Sequence, residues 1–314
     1  MSDSSDRIFI FGLGYSARML ARDLLARGVR VAGTTRSPAK AAALRAQGIE
    51  PFLFDRGRPL DPGALTGTTH LLNSIPPDGA QGGTGDPVLD HHGADIAALA
   101  GDGAEGGQGP GGLRWVGYLS TTGVYGDTGG AWVDEDSAVN PASPRGRARA
   151  AAEAGWLDLH RRHGVPVHLF RLPGIYGPGR SSIDSLRAGT ARRIDKPGQV
   201  FSRIHAADIA QVLAASMARP RGGAIYNVCD DEPAPAHEVV RFAATLMGID
   251  PPPLEPFDPS TLSPMAASFY AETKRVRNDR MKAELDIRLL YPTYRDGLAA
   301  QWREETGVSA RAGQ

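Results

Sequence analysis

The residues Gly12-Leu13-Gly14-Tyr15-Ser16-Ala17 stand between a short apolar run, RIFIF (7–11), and a segment with Met19, Leu20, Leu24 and Leu25 at helical spacing, closed by Gly28. A glycine pair alone says little. At the joint between a first strand and a first helix it says more. Gly12 permits the tight turn, Gly14 lets a pyrophosphate approach the backbone, and Ala17 stands where helix and strand pack closely. The phosphates would rest on the free N–H groups of Tyr15, Ser16 and Ala17, at the positive end of the helix dipole. The pattern predicts a dinucleotide site.

The next strand bears on which dinucleotide. A site for NAD usually ends that strand with an acid for the ribose 2′-hydroxyl. Here the chain reads Gly33-Thr34-Thr35-Arg36-Ser37, with no acid. Arg36, following Thr35, can pair with a 2′-phosphate through a charge-assisted contact. The expectation is therefore NADP(H) in preference to NAD(H). Asp55, closing a third strand, is placed to border the adenine. Asn73, Ser74 and Ile75, closing a fourth, should line the nicotinamide side.

These residues need a scaffold, and the pattern supplies one. Strand-like runs (VRVAGTTR, IEPFLFD, THLLNSIPP, RWVGYLSTTGVYG, VPVHLFRL) alternate with helical stretches such as PAKAAALRAQG and residues 150–163. That alternation predicts an α/β protein built on a Rossmann-type doubly wound parallel sheet. Two stretches break the rhythm. GDGAEGGQGPGG (101–112) holds seven glycines in twelve residues and reads as a mobile surface insertion. PPPLEPFDPSTLSP (251–264) reads as an extended connector set by its prolines.

Composition narrows the function classes. Lys+Arg and Asp+Glu balance at 35 each among 314 residues, which argues against nucleic acid or an anionic membrane as a bulk partner. A lone cysteine, Cys229, excludes an internal disulfide and any multi-cysteine metal site, so no metal site is expected. No signal peptide or long apolar span is legible, which makes the cytoplasm the expected location. The lysines are Lys40, Lys196, Lys274 and Lys282, so residues 41–195 contain none.

The later motifs resemble those of the extended short-chain dehydrogenase/reductases, the NAD(P)-dependent epimerase/dehydratase family. Leu119 to Gly126 (LSTTGVYG) is similar to its serine-bearing fifth-strand motif, and Arg171 to Gly179 to its R-x-x-x-x-Y-G-P-G segment. Ile204 to Ala210 resembles its return to the sheet, Tyr226-Asn227-Val228 its "yNv" strand, and Glu238 falls where the family opens a helix. Asn278 to Leu285 and Tyr291-Pro292 echo its C-terminal pattern. The resemblance implies a Rossmann domain (7–172 and 202–228) and a smaller substrate domain (173–201 and 229–306), with substrate in the cleft between them. It also implies Ser120 and Pro173 beside the cofactor.

In that family a Tyr-x-x-x-Lys pair on the helix after the fifth strand transfers the proton, and a Ser/Thr polarises the substrate oxygen. The i, i+4 spacing sets the pair on one helix face. Counting from Val124-Tyr125-Gly126, the pair falls on Arg145 and Arg149. Arginine stays protonated and cannot shuttle a proton as tyrosine does. Arg149 can replace the lysine's charge, and Arg145 can bind an anion or a developing oxyanion. Thr121 keeps the Ser/Thr position, with Thr122 beside it.

A literal Tyr270-x-x-x-Lys274 occurs far along the chain and reads more naturally as lining for the substrate domain. Tyr125 and Tyr176 read as structural, and His205 and Asp208 as supports for the chain crossing. The arginine that often clamps a sugar-nucleotide diphosphate is replaced by Phe201, which counts against such a substrate, although Arg180 and Arg203 can still bind an anion.

The expected function is an NADP-dependent, epimerase/dehydratase-like oxidoreductase for a small polar or anionic metabolite, acting as a monomer or homodimer. The alternative is a non-catalytic NADP(H)-binding redox sensor or regulatory protein.

Overall fold

Every residue of β1 (Arg7–Phe11) is buried, and its side chains divide by parity. Ile8 and Ile10 join one core cluster, and Phe9 and Phe11 join another. A strand covered on both faces reads as a continuous apolar run, which is what RIFIF is. The structure is a computed structural model that describes residues 6–79, 84–101 and 112–307. The glycine-rich stretch expected as an insertion lies, apart from its two end residues, outside the described residues.

After β1 come α1 (Tyr15–Ala26), β2 (Arg30–Thr35), α2 (Pro38–Ala46), β3 (Glu50–Leu53), β4 (His70–Asn73), α3 (Pro87–Gly101) and β5 (Trp115–Thr121). The chain continues through β6 (Trp132–Val133), α4 (Pro144–His163), β7 (Val167–Leu172), β8 (Gly174–Tyr176), α5 (Ser182–Arg187), β9 (Arg193–Asp195), β10 (Arg203–His205) and α6 (Ala206–Ala218). It ends with β11 (Ile225–Asn227), α7 (Ala236–Met247), β12 (Leu254–Pro256), α8 (Pro264–Tyr270), β13 (Arg275–Val276), α9 (Asp279–Leu285) and α10 (Tyr294–Thr306).

Seven strands form one parallel sheet in the order β11-β7-β5-β4-β1-β2-β3. The chain winds outward one way from β1 and the other way from β4, so the sheet is doubly wound with its switch point between those strands. One face packs Leu20 and Leu24 of α1, Leu213 of α6 and Met281 of α9 against Ile8, Ile10 and Trp115. The other packs Ile96 of α3 and Trp156 of α4 against Phe9, Phe11 and Tyr118. Three two-stranded parallel pairs, β8 with β10, β9 with β12 and β6 with β13, stand apart from the seven-stranded sheet. Among the described residues no helix is long and apolar enough to cross a membrane.

Two local expectations needed adjustment. The helix expected over residues 150–163 begins earlier, at Pro144, because Ser143 accepts a hydrogen bond from the Gly146 N–H at 3.1 Å and proline suits the first helical turn. The proline-set connector 251–264 contains the short strand β12, which pairs with β9 from Leu254 to Pro256.

Candidate active site

A cleft of ≈ 690 Å³ lies at the carboxyl ends of β1, β4, β5 and β7. Its sheet side carries Gly14 to Ala17, Ser74, Leu119 to Gly123, Arg145, Arg149 and Pro173. Its far side carries Phe201 to Arg203, Phe269, Tyr270, Glu272 and Lys274. Ligands of doubly wound sheets bind at such a switch point.

The glycine turn is built to receive something. Gly12 has φ +82°, and a Cβ there would lie 2.8 Å from Ile75 Cγ1 and 3.1 Å from Ser74 Oγ. Its N–H donates to Thr34 Oγ1 at 2.8 Å, and Ser74 Oγ donates to its carbonyl. Gly14 is the N-cap of α1 and gives no side-chain cap; a Cβ there would meet just the Gly12 carbonyl, at 4.0 Å. The first-turn N–H groups of α1 therefore open onto clear space. That cradle fits a dinucleotide pyrophosphate. Tyr15, which opens α1, donates its hydroxyl to the Pro178 carbonyl at 3.0 Å, and the Arg180 guanidinium lies 5.8 Å over its ring.

The other dinucleotide candidates differ in placement. Arg36 is exposed just past the end of β2, and Thr35 Oγ1 accepts from the Ser37 N–H at 3.3 Å. Asp55 closes a turn by accepting from the Gly57 N–H at 3.0 Å. Thr35, Arg36 and Asp55 are not among the cleft-lining residues. Asn73 turns inward: its amide donates to Asp86 Oδ2 at 3.0 Å and accepts from the Ile75 N–H at 2.9 Å. Ile75 packs under Gly12.

At the end of β5, Thr121 faces the cleft and accepts from the Gly123 N–H at 3.2 Å, while Thr122 is buried. Arg149 Nη1 donates to the Leu119 carbonyl, and its guanidinium lies 5.6 Å over the Tyr118 ring. Arg145 is exposed and reaches across to α8, 5.8 Å over the Phe269 ring. Tyr270 lies edge-on to Phe201 with ring centroids 5.3 Å apart, and burial pushes its phenol up. Lys274 pairs with Glu272 at 2.8 Å, both side chains nearly buried. Folding thus gathers Thr121, Arg145, Tyr270 and Lys274 around one cleft.

Several motif residues serve the scaffold. Arg171 holds the Glu153 carboxylate with two hydrogen bonds, at 3.1 and 2.8 Å, and donates to the Tyr125 hydroxyl at 2.9 Å. Ser120 donates to the same carboxylate at 2.5 Å, and the Tyr125 hydroxyl donates to Asn227 at 2.7 Å. Burial pushes the Tyr125 phenol up to about 12. Tyr176 is buried too, donating to the Thr293 carbonyl at 3.3 Å. His205 caps α6, and Asp208 accepts from the N–H groups of Leu290 and Tyr291 at 2.6 and 3.2 Å.

Comparison with known proteins follows the same lines. The model for the "NAD dependent epimerase/dehydratase family" matches residues 111–229. Protein YeeZ of Escherichia coli strain K12 is 30% identical over 257 residues, spanning 78% of this chain and 85% of that protein. The chain belongs to the NAD-dependent epimerase/dehydratase family. It is an atypical member: α4, the helix that follows β5, holds no tyrosine or lysine. A functionally unknown conserved protein from Silicibacter pomeroyi DSS has a solved structure that is 52% identical, with TM-score 0.85 over 95% of this chain and 99% of that one. dTDP-glucose 4,6-dehydratase from Bacillus anthracis, solved with NAD, shares the fold at 16% identity and TM-score 0.71, over 96% of this chain and 97% of that one.

Some cleft residues had no legible signal. Phe269 receives Arg145 from a helix more than a hundred residues away in sequence. No local pattern encodes that meeting.

Proposed function

We propose that the chain binds a nicotinamide dinucleotide, NADP(H) in preference to NAD(H), and acts as an epimerase/dehydratase-like oxidoreductase on a small polar or anionic metabolite. The observation that carries this reading is the uncapped start of α1, open beside Gly14 and sharing a cleft with Thr121. When bound, the dinucleotide would supply hydride exchange at its nicotinamide ring. Gly14, Tyr15, Ser16 and Ala17 would hold the pyrophosphate, and exposed Arg36 would meet the 2′-phosphate.

Thr121 would hydrogen-bond the substrate's carbonyl or hydroxyl oxygen. Arg145, permanently charged, would stabilise negative charge there rather than carry a proton. Arg149, tied to the Leu119 carbonyl, would hold the end of β5 that presents Thr121. The arginines at both acid–base positions favour a second reading, a non-catalytic NADP(H)-binding sensor.

Calorimetric titration of wild type and Arg36→Ala with NADPH and NADH tests the first reading. Loss of the 2′-phosphate contact should cost about 1.5–3 kcal/mol for NADPH and little for NADH. Equal losses would remove Arg36 from the site, and no binding of either cofactor would overturn the reading. Steady cofactor turnover with any metabolite of a broad panel, lost in Thr121→Ala, decides for the enzyme. Tight NADPH binding with no turnover decides for the sensor.

A further inference from the structure

A second cavity of ≈ 490 Å³ shares Ile175, Arg180 and Arg203 with the cleft and continues between β8, α5, α7 and α10. Arg203, at the junction, forms no ion pair with any described residue. Its Nη1 donates to the Phe201 carbonyl at 2.8 Å, and burial pulls the guanidinium's pKa down. An arginine in this position ordinarily has a carboxylate to offset its desolvation.

The acid whose charge acts most on Arg203 is Asp230. It is 1% exposed, and burial pushes its pKa up to about 8. No ion pair joins the two, and the guanidinium is left without a carboxylate at contact distance among the described residues. Tyr294 lines the second cavity with its ring flanked by Arg203 at 5.8 Å and Arg295 at 4.7 Å. Glu232 balances Arg295 at 3.1 Å, whereas Arg203 has no such acid. The Tyr294 hydroxyl is buried without a partner. Asp184, the acid among the lining residues, is committed to the Ser181 N–H and hydroxyl at 2.9 and 2.8 Å.

A guanidinium without an ion-pair partner and an orphaned hydroxyl on a residue of the same cavity wall share a complement, a group that is both negatively charged and a hydrogen-bond acceptor. Arg180, exposed on the same rim and without an ion pair among the described residues, adds a second positive charge. We propose that Arg203, Tyr294 and Arg180 form the receptor for the anionic group, a carboxylate or phosphate ester, of a small hydroxylated substrate. Ser182 and Thr190 along the cavity wall suit the hydroxyls. As a substrate subsite this rests on the dinucleotide reading, while the binding itself does not need it.

The test is calorimetry on the full chain with glycerol 3-phosphate, glycerate and glycerol, each with and without saturating NADP. At least one charged probe should bind saturably, and glycerol should not. Arg203→Gln should weaken that binding by about tenfold or more while NADP affinity stays within about twofold of wild type. Tyr294→Phe keeps the ring and removes an unpartnered hydroxyl, so it serves even if Arg203→Gln fails to fold; it should weaken the charged probe about threefold or more. Charged probes that bind no better than glycerol, or that bind both variants as they bind wild type, overturn the proposal. Charged probes that bind normally to a chain that takes up no NADP uphold the anion site and overturn the dinucleotide reading instead.

Discussion

Gly12 and Gly14 stand two positions apart, and one substitution separates what each is for. At Gly12 the backbone is left-handed and a Cβ would press on Ile75 and Ser74. Gly12→Ala should therefore cost about 1–2 kcal/mol of stability from the backbone alone, with the crowding adding to it, read as a lowered urea midpoint. At Gly14 the backbone is extended and the space is clear. Gly14→Ala should lower the urea midpoint far less than Gly12→Ala, since alanine's restriction of the unfolded chain offsets its poorer service as the N-cap of α1. It should nonetheless weaken NADP binding by about tenfold or more, because the added methyl occupies the ground of the pyrophosphate. A midpoint that falls as far with Gly14→Ala as with Gly12→Ala, or NADP affinity that survives it, would contradict the role given to this turn.

At the scale of elements, α4 carries Arg145 and Arg149 toward the cleft and Glu153 into the core, where it meets Arg171 on β7. The pair is almost fully buried, so removing one partner leaves a desolvated charge. Glu153→Gln should cost roughly 3–5 kcal/mol by urea denaturation. The double variant Glu153→Leu with Arg171→Leu should lose less than the two single changes summed, because neither charge is then stranded. A fully additive double variant would show that the buried pair does not join helix to strand. The same helix reaches α8 through Arg145 on Phe269, a contact between exposed groups that contributes about 0.5–1 kcal/mol.

Across the whole molecule, buried acids set part of the pH response. Asp230 is pushed from the usual carboxylate range up to about 8, so the folded chain keeps a proton that the unfolded chain releases. Its contribution therefore weakens the fold progressively as pH rises from about 4 to about 8 and changes no further above that. Asp230→Asn should melt higher than wild type at pH 8, by roughly 2–4 °C for each kcal/mol recovered, with the gain vanishing near pH 4. A gain independent of pH would mean that the carboxyl titrates normally in the folded chain.

The sequence by itself determined the doubly wound sheet and the glycine turn at its first strand–helix joint. Both are local: parity of apolar side chains within a strand, and a strand–turn–helix joint. It also singled out Tyr270 and Lys274, but only the tertiary structure decided that they share a cleft with Thr121 and Arg145. The unpaired Arg203 on one cavity wall with the partnerless Tyr294 hydroxyl was equally out of reach. Such meetings depend on how β10, α8 and α10 return over the sheet after long excursions, and on which charges lose their water there. Spacing along a chain encodes neither the return path nor the desolvation.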